Sequence, residues 1–192
     1  MEAAAVAWHR KQRPPDPAPA NALAIVAETP DALHQWVEEA KGAVRSQTPR
    51  KIVGPGGVSF FPAPLGPSGR IAFVYPGSGN HYVGMGRGVG VRWPEILREM
   101  DRETEALKTQ MFPECYMPYR VSWEHGWEDA AYRKIVSDPH YMIFGQVVHG
   151  GMMTRLAGHF GVRPDAVIGY SLGESAGFFA TGAWPERGAM LR

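Results

Sequence analysis

The feature that most restricts this chain is the run Ala166-Val167-Ile168-Gly169-Tyr170-Ser171-Leu172-Gly173-Glu174. Three residues of buried-strand type lead into a serine with glycine two positions away on each side, and small residues such as Ala176 and Gly177 follow. A serine set in so tight a strand-to-helix bend leaves no room for side chains at those two positions. The bend lifts the hydroxyl above the sheet. The helix behind it aims unpaired N–H groups and its positive end at the same place, which favours a developing oxyanion. The pattern predicts a strand over 166–168, a helix from Glu174 to Gly182, and Ser171 as a candidate nucleophile. A glycine-rich strand end that merely packs closely is the plainer alternative.

An oxyanion needs a second donor, and one other segment offers it. Ile71-Ala72-Phe73-Val74-Tyr75 reads as a buried parallel strand, and Pro76-Gly77-Ser78-Gly79-Asn80-His81-Tyr82-Val83-Gly84-Met85-Gly86 follows it. Backbone N–H groups in such a loop are unshielded and able to face a carbonyl oxygen. No Gly-Lys-Ser/Thr follows, which excludes a P-loop, and Gly77-x-Gly79 alone is too weak for a dinucleotide fingerprint. The plainer reading of this loop is a flexible surface turn. Of the seven histidines, His81 is the one whose position draws attention; His34 and His159 sit in helical patterns as surface or packing residues. His149 and His159 lack the spacing of a helical metal pair, and no metal site is expected. Glu174 is an acid well placed at a helix N-terminus.

The remaining chain supplies the frame. Residues 1–20 end in a Pro/Ala-rich stretch and read as an extended linker. Residues 21–69 read as a small α/β unit, with a strand over 22–27 and a helix opened by Thr29-Pro30-Asp31. That unit adds a short strand over 58–61 among proline-broken loops. Residues 70–192 form the larger unit. Ile96, Leu97, Met100 and Leu107 share one face of a helix expected over 94–108, residues 109–138 resist assignment, and 140–160 read as a helix stopped by Gly161 and Pro164. Strands alternating with helices predict an α/β fold, a parallel sheet with flanking helices.

Composition narrows the function. A net charge of +1 leaves no electrostatic footprint for nucleic acid or anionic lipid. No apolar run approaches the roughly 18–20 residues of a membrane span, and no secretory signal is visible. Cys115 is the only cysteine, which excludes an internal disulfide and fits a reducing, cytoplasmic setting.

Taken together, the two motifs resemble the malonyl-CoA:acyl-carrier-protein transacylase family, including the acyltransferase domains of polyketide and fatty-acid synthases. Those domains open on F-x-F-P-G-Q-G-S-Q-x-x-G-M-G, and Phe73 to Gly86 corresponds to it. Later they carry G-V-x-P-D-A-V-x-G-H-S-x-G-E, and Gly161 to Glu174 matches it closely. The resemblance covers 70–192; more weakly, 21–48 resembles the small linker unit that precedes such domains in multidomain synthases. It implies an α/β-hydrolase-like large acyltransferase subdomain, here incomplete. Ser171 would attack an acyl-CoA thioester, with malonyl-CoA the leading substrate, and the N–H groups of Ser78 and Leu172 would hold the oxyanion. Gly77, Gly79, His81 and Tyr170 would line the substrate. The acyl group would pass to the phosphopantetheine thiol of an acyl carrier protein beside a ketosynthase domain, with no cofactor bound in this chain.

Tyr170 stands where the family has His, and Ser78 and His81 stand where it has Gln, as in a divergent branch such as the polyunsaturated-fatty-acid-synthase type. The family's carboxylate-binding Arg falls just beyond Arg192 and its general-base His later still. A truncated domain of little turnover is therefore expected, with the helical pattern from Pro185 to Arg192 leaving a core face unfinished. Two other readings remain. One is a serine esterase or thioesterase of α/β-hydrolase type, which needs a His after Ser171 that the sequence lacks. The other is a non-catalytic structural segment of a synthase.

Overall fold

A computed structural model of the chain describes residues 21–50, 56–116 and 125–186. The expected linker over 1–20, Pro55, and the last residues of the terminal helical pattern lie outside the described residues. The chain divides into two compact units between Gly69 and Arg70.

In the first unit, β1 (Ala22–Val26) pairs antiparallel with β2 (Gly57–Phe61), and α1 (Pro30–Ser46) packs on the pair. The helix begins where the Thr29 hydroxyl accepts from the Ala32 N–H at 3.1 Å and Pro30 takes the first turn. It ends at Gln47 in the left-handed region, whose N–H reaches the Ala43 and Val44 carbonyls. Ala40 and Ala43 are small enough to bring the helix down onto Val58 and Phe60, with Ile25 and Trp36 at the margin. This core is small, as expected for a minor unit.

The second unit is built on β3 (Ala72–Tyr75) and β4 (Ala166–Gly169), paired in parallel with Tyr75 opposite Gly169. Asp165 pins the start of the ladder: its carboxylate accepts from the Ile71 N–H at 2.8 Å, and its own N–H donates to the Ile71 carbonyl at 2.8 Å. Between the strands run α2 (Arg87–Arg92), α3 (Pro94–Glu103), α4 (Leu107–Met111), α5 (Pro113–Tyr116), α6 (Trp127–Ser137) and α7 (Pro139–His159); α8 (Leu172–Thr181) follows β4. The helix expected over 94–108 is two helices. Thr104 turns extended and its hydroxyl accepts from the Ala106 N–H, which diverts the backbone from the helical ladder. The face the sequence marks is nonetheless kept, since Ile96, Met100 and Leu107 join Met111, Val148 and Met152 in one core. Arg155 of α7 adds a forked ion pair to Glu103 of α3.

Helix α7 is the central pillar, packing against α8, α4, α6 and α3. A second core forms where Tyr75, Val147, Ala176 and Phe179 meet. Here the strands depart from expectation. Phe73 and Tyr75 turn toward this core, whereas Val74 and Ile168, paired in register, are 71% and 58% exposed. The sheet is covered on one face because no helix among the described residues lies over the other.

Candidate active site

Ser171 sits at the sharpest point of the second unit. Its backbone has φ 54° and ψ −120°, outside the regions open to an L-residue at low cost, between the last residue of β4 and the first turn of α8. Two glycines make the bend sterically feasible. A Cβ on Gly169 would lie 2.5 Å from the Glu174 Cα, and one on Gly173 would lie 2.8 Å from the Tyr75 carbonyl carbon. Both obstacles are backbone and do not yield. Gly177 continues the close approach, since a Cβ there would meet the Val167 side chain at 2.7 Å. The first turn is closed by the Gly173 N–H donating to the Tyr170 carbonyl at 2.9 Å and the Glu174 N–H to the Ser171 carbonyl at 3.0 Å. Those bonds occupy the second and third amides of the helix and leave that of Leu172 without a backbone partner among the described residues.

The glycine loop comes to the same place. Tyr75 and Gly169 end their strands side by side, and the Tyr170 N–H reaches the Tyr75 carbonyl at 3.4 Å. Gly77 lies under Tyr170: a Cβ on it would stand 2.8 Å from the ring and 3.1 Å from the Tyr170 carbonyl oxygen. The Ser78 N–H also has no backbone partner among the described residues. Ser171 and Ser78 are exposed, as are Gly79 and Tyr170. The serine hydroxyl is thus presented at the surface, with free amides on the two segments that flank it.

His81 is the exception among the predicted site residues. Its ring stacks on Tyr132 of α6 at 6.1 Å between centroids, and its Nδ1 is buried without a partner among the described residues. No hydrogen bond joins Ser171 to any of the described histidines. His149 is buried in α7 with Nδ1 against the Gly145 carbonyl, and burial holds its imidazole below the ordinary value. His34 bonds the Pro30 carbonyl on the surface of α1, and His159 faces Glu99 at 3.3 Å. Glu174 is exposed in the first turn of α8, where an acid suits the helix end. Cys115 is buried, and that burial raises its thiol, so it offers no rival nucleophile at neutral pH.

One residue that sequence reasoning missed stands beside the glycine loop. Gln146, buried in α7, donates from Nε2 to the Pro76 carbonyl at 2.9 Å and to the Gly77 carbonyl. In the sequence it is a lone amide inside the apolar run Met142-Ile143-Phe144-Gly145-Gln146-Val147-Val148, which does not say what it bonds. A groove of about 910 Å³ also opens near here, lined by Phe73, Gly86, Trp93, Gln146, His149 and Met153 among others. Ser171 does not line it, whereas Pro76 and Asn80 of the glycine loop do. Among the described residues, no group of three or more His, Cys, Asp or Glu side chains could hold a metal, and no helix is long and apolar enough to cross a membrane.

Comparison with known proteins places the fold beside acyltransferase domains of polyketide synthases. The fold is similar to the acyltransferase domain from the second module of the salinomycin polyketide synthase, with TM-score 0.55 and 21% identity over 95% of this chain and 37% of that one. It is also similar to the acyltransferase domain of ZmaA, with TM-score 0.50 and 19% identity over 84% of this chain and 44% of that one. In sequence, the chain is 30% identical over 126 residues to mycoketide-CoA synthase of Mycobacterium tuberculosis, covering 65% of this chain. It is 29% identical over 124 residues to highly reducing polyketide synthase 40 of Fusarium pseudograminearum, covering 63%. The matches take in 3% and 4% of those curated relatives. No protein-family model matches the chain.

Proposed function

We propose that this chain carries the nucleophile of an acyltransferase site that loads an acyl group, malonyl first among candidates, from coenzyme A onto an acyl carrier protein in polyketide or fatty-acid biosynthesis. Ser171 Oγ attacks the thioester carbonyl. The new C–O bond forms first, turning the carbonyl oxygen into a tetrahedral oxyanion; its collapse breaks the C–S bond, and coenzyme A leaves as its thiol with the serine proton delivered through a base. The phosphopantetheine thiol of the carrier protein then takes the acyl group and restores the hydroxyl. The N–H groups of Ser78 and Leu172 stabilise the oxyanion in each step. Gly77, Gly79 and Tyr170 border the thioester, whereas His81, stacked on Tyr132, has no part in this reading. The reaction takes place in the cytoplasm beside a ketosynthase and needs no cofactor in this chain.

The observation that carries this reading is the Ser171 backbone at φ 54°, ψ −120°, with the Ser78 and Leu172 amides lacking backbone partners among the described residues. Strain of this kind costs about 1–3 kcal/mol and persists where the surroundings hold it for a purpose. No described histidine hydrogen-bonds to Ser171, and general-base help is worth about 10²–10⁴-fold. The test therefore uses the natural polypeptide that carries this chain, incubated with malonyl-CoA and followed by intact mass. The expected product is one malonyl adduct that an acyl carrier protein discharges faster than water does. Discharge to water at the same rate with or without the carrier favours the esterase reading. No adduct from the folded protein favours a structural role.

A further inference from the structure

We infer that Gln146 and Asn80 are positioning residues that aim the Ser78 amide at the oxyanion; the inference rests on the acyl-transfer reading above and deepens it. The argument starts from the peptide unit that joins Gly77 to Ser78. It is planar and trans, so the direction of the Gly77 carbonyl fixes that of the Ser78 N–H on the opposite side. Two side-chain amides hold that carbonyl. Asn80 Nδ2 donates to it at 2.9 Å from within the loop, and Gln146 Nε2 donates to it from the buried face of α7. Gln146 Nε2 also holds the preceding carbonyl, that of Pro76, at 2.9 Å. A loop with glycine on both sides of Ser78, at Gly77 and Gly79, would otherwise sample many orientations. Anchored twice from one side, it presents one.

Two further observations set this apart from ordinary packing. With two carbonyls in front of it, the Gln146 amide must turn its NH₂ forward, which leaves Oε1 buried with no partner among the described residues. A leucine of similar size avoids that orphaned oxygen but takes the donor away from the Pro76 and Gly77 carbonyls, so glutamine gives up one acceptor of its own in order to hold two on the loop. In addition, a carbonyl that accepts two hydrogen bonds polarises its own peptide group, and the N–H of that group becomes a stronger donor. Gln146 therefore acts on the reaction through Ser78 without touching the acyl group. Gly77 supplies the last constraint, since Tyr170 packs directly on it and keeps the peptide beside the elbow.

The test measures single-turnover acylation of Ser171 by malonyl-CoA in the natural polypeptide, for wild type, Gln146→Leu, Asn80→Ala and Ser171→Ala. Loss of an oxyanion donor outright costs about 10²–10³-fold. A misaimed donor is expected to cost less, about 10-fold to 100-fold in the limiting acylation rate for Gln146→Leu and a smaller drop for Asn80→Ala. The half-saturating malonyl-CoA concentration stays unchanged in both, because the loss is confined to the transition state. A limiting rate equal to wild type in both variants, with Ser171→Ala blank, overturns the inference and leaves the acyl-transfer reading standing. So does a change in half-saturation alone. Acylation that persists in Ser171→Ala overturns both. If Gln146→Leu fails to fold, Asn80→Ala decides by itself, since Asn80 lies on the exposed loop: a wild-type limiting rate there rejects the proposal.

Discussion

At the scale of single residues, the elbow sets strain against function. Ser171 occupies a backbone conformation that glycine adopts freely and serine does not. Ser171→Gly is expected to stabilise the fold by about 1 kcal/mol while abolishing acylation, and urea denaturation beside an adduct assay checks both halves. A Cβ at Gly173 runs into the end of β3, so Gly173→Ala is expected to cost about 3 kcal/mol. A denaturation midpoint equal to wild type contradicts that. These residues were legible from the spacing of Gly169, Ser171 and Gly173, because the bend's steric demand is local and leaves its mark in adjacent positions. Gln146 was not legible. Its partners, the carbonyls of Pro76 and Gly77, lie some 70 positions earlier in the chain, and no local pattern records a side chain that bonds to distant backbone.

At the scale of elements, helix ends and strand pairings divide by the same criterion. The start of α1 was readable because a Thr–Pro–Asp cap is complete within three residues, and the structure shows the Thr29 hydroxyl on the Ala32 N–H. Thr29→Ala is expected to cost about 1 kcal/mol, measured as a loss in the stability of the chain. The break between α3 and α4 was not readable. Ile96, Met100 and Leu107 keep one face in the sequence whether or not the helix is continuous, and the Thr104 turn that divides it carries no residue such as proline or glycine to mark it. Likewise the apolar runs of β3 and β4 signalled strands buried on both faces. Which faces are covered depends on elements elsewhere, and Val74 and Ile168 are open among the described residues.

At the scale of the whole molecule, two properties follow from what is buried and what is not. Val74 and Ile168 form an apolar face that is open among the described residues; it is expected to bind apolar dyes, and Val74→Thr with Ile168→Thr is expected to reduce that fluorescence. Unchanged fluorescence places the adhesive surface elsewhere. Acid stability depends on His149, whose burial lowers its pKa from 6.5. Below pH 6.5 the unfolded chain takes up a proton that the folded chain resists, so this contribution is complete above 6.5 and is lost as the pH falls toward the folded value. His149→Gln is expected to flatten the dependence of unfolding free energy on pH over that acid range, and an unchanged slope contradicts the assignment.

The account turns on where an acyl group becomes attached. Peptide mapping by tandem mass spectrometry, after brief exposure of the natural polypeptide to malonyl-CoA, locates it directly. The arrangement of elbow and glycine loop predicts the malonyl group on Ser171 and no other residue, with the modified peptide absent from Ser171→Ala. A malonyl group found on a different side chain, or one that survives in Ser171→Ala, contradicts it.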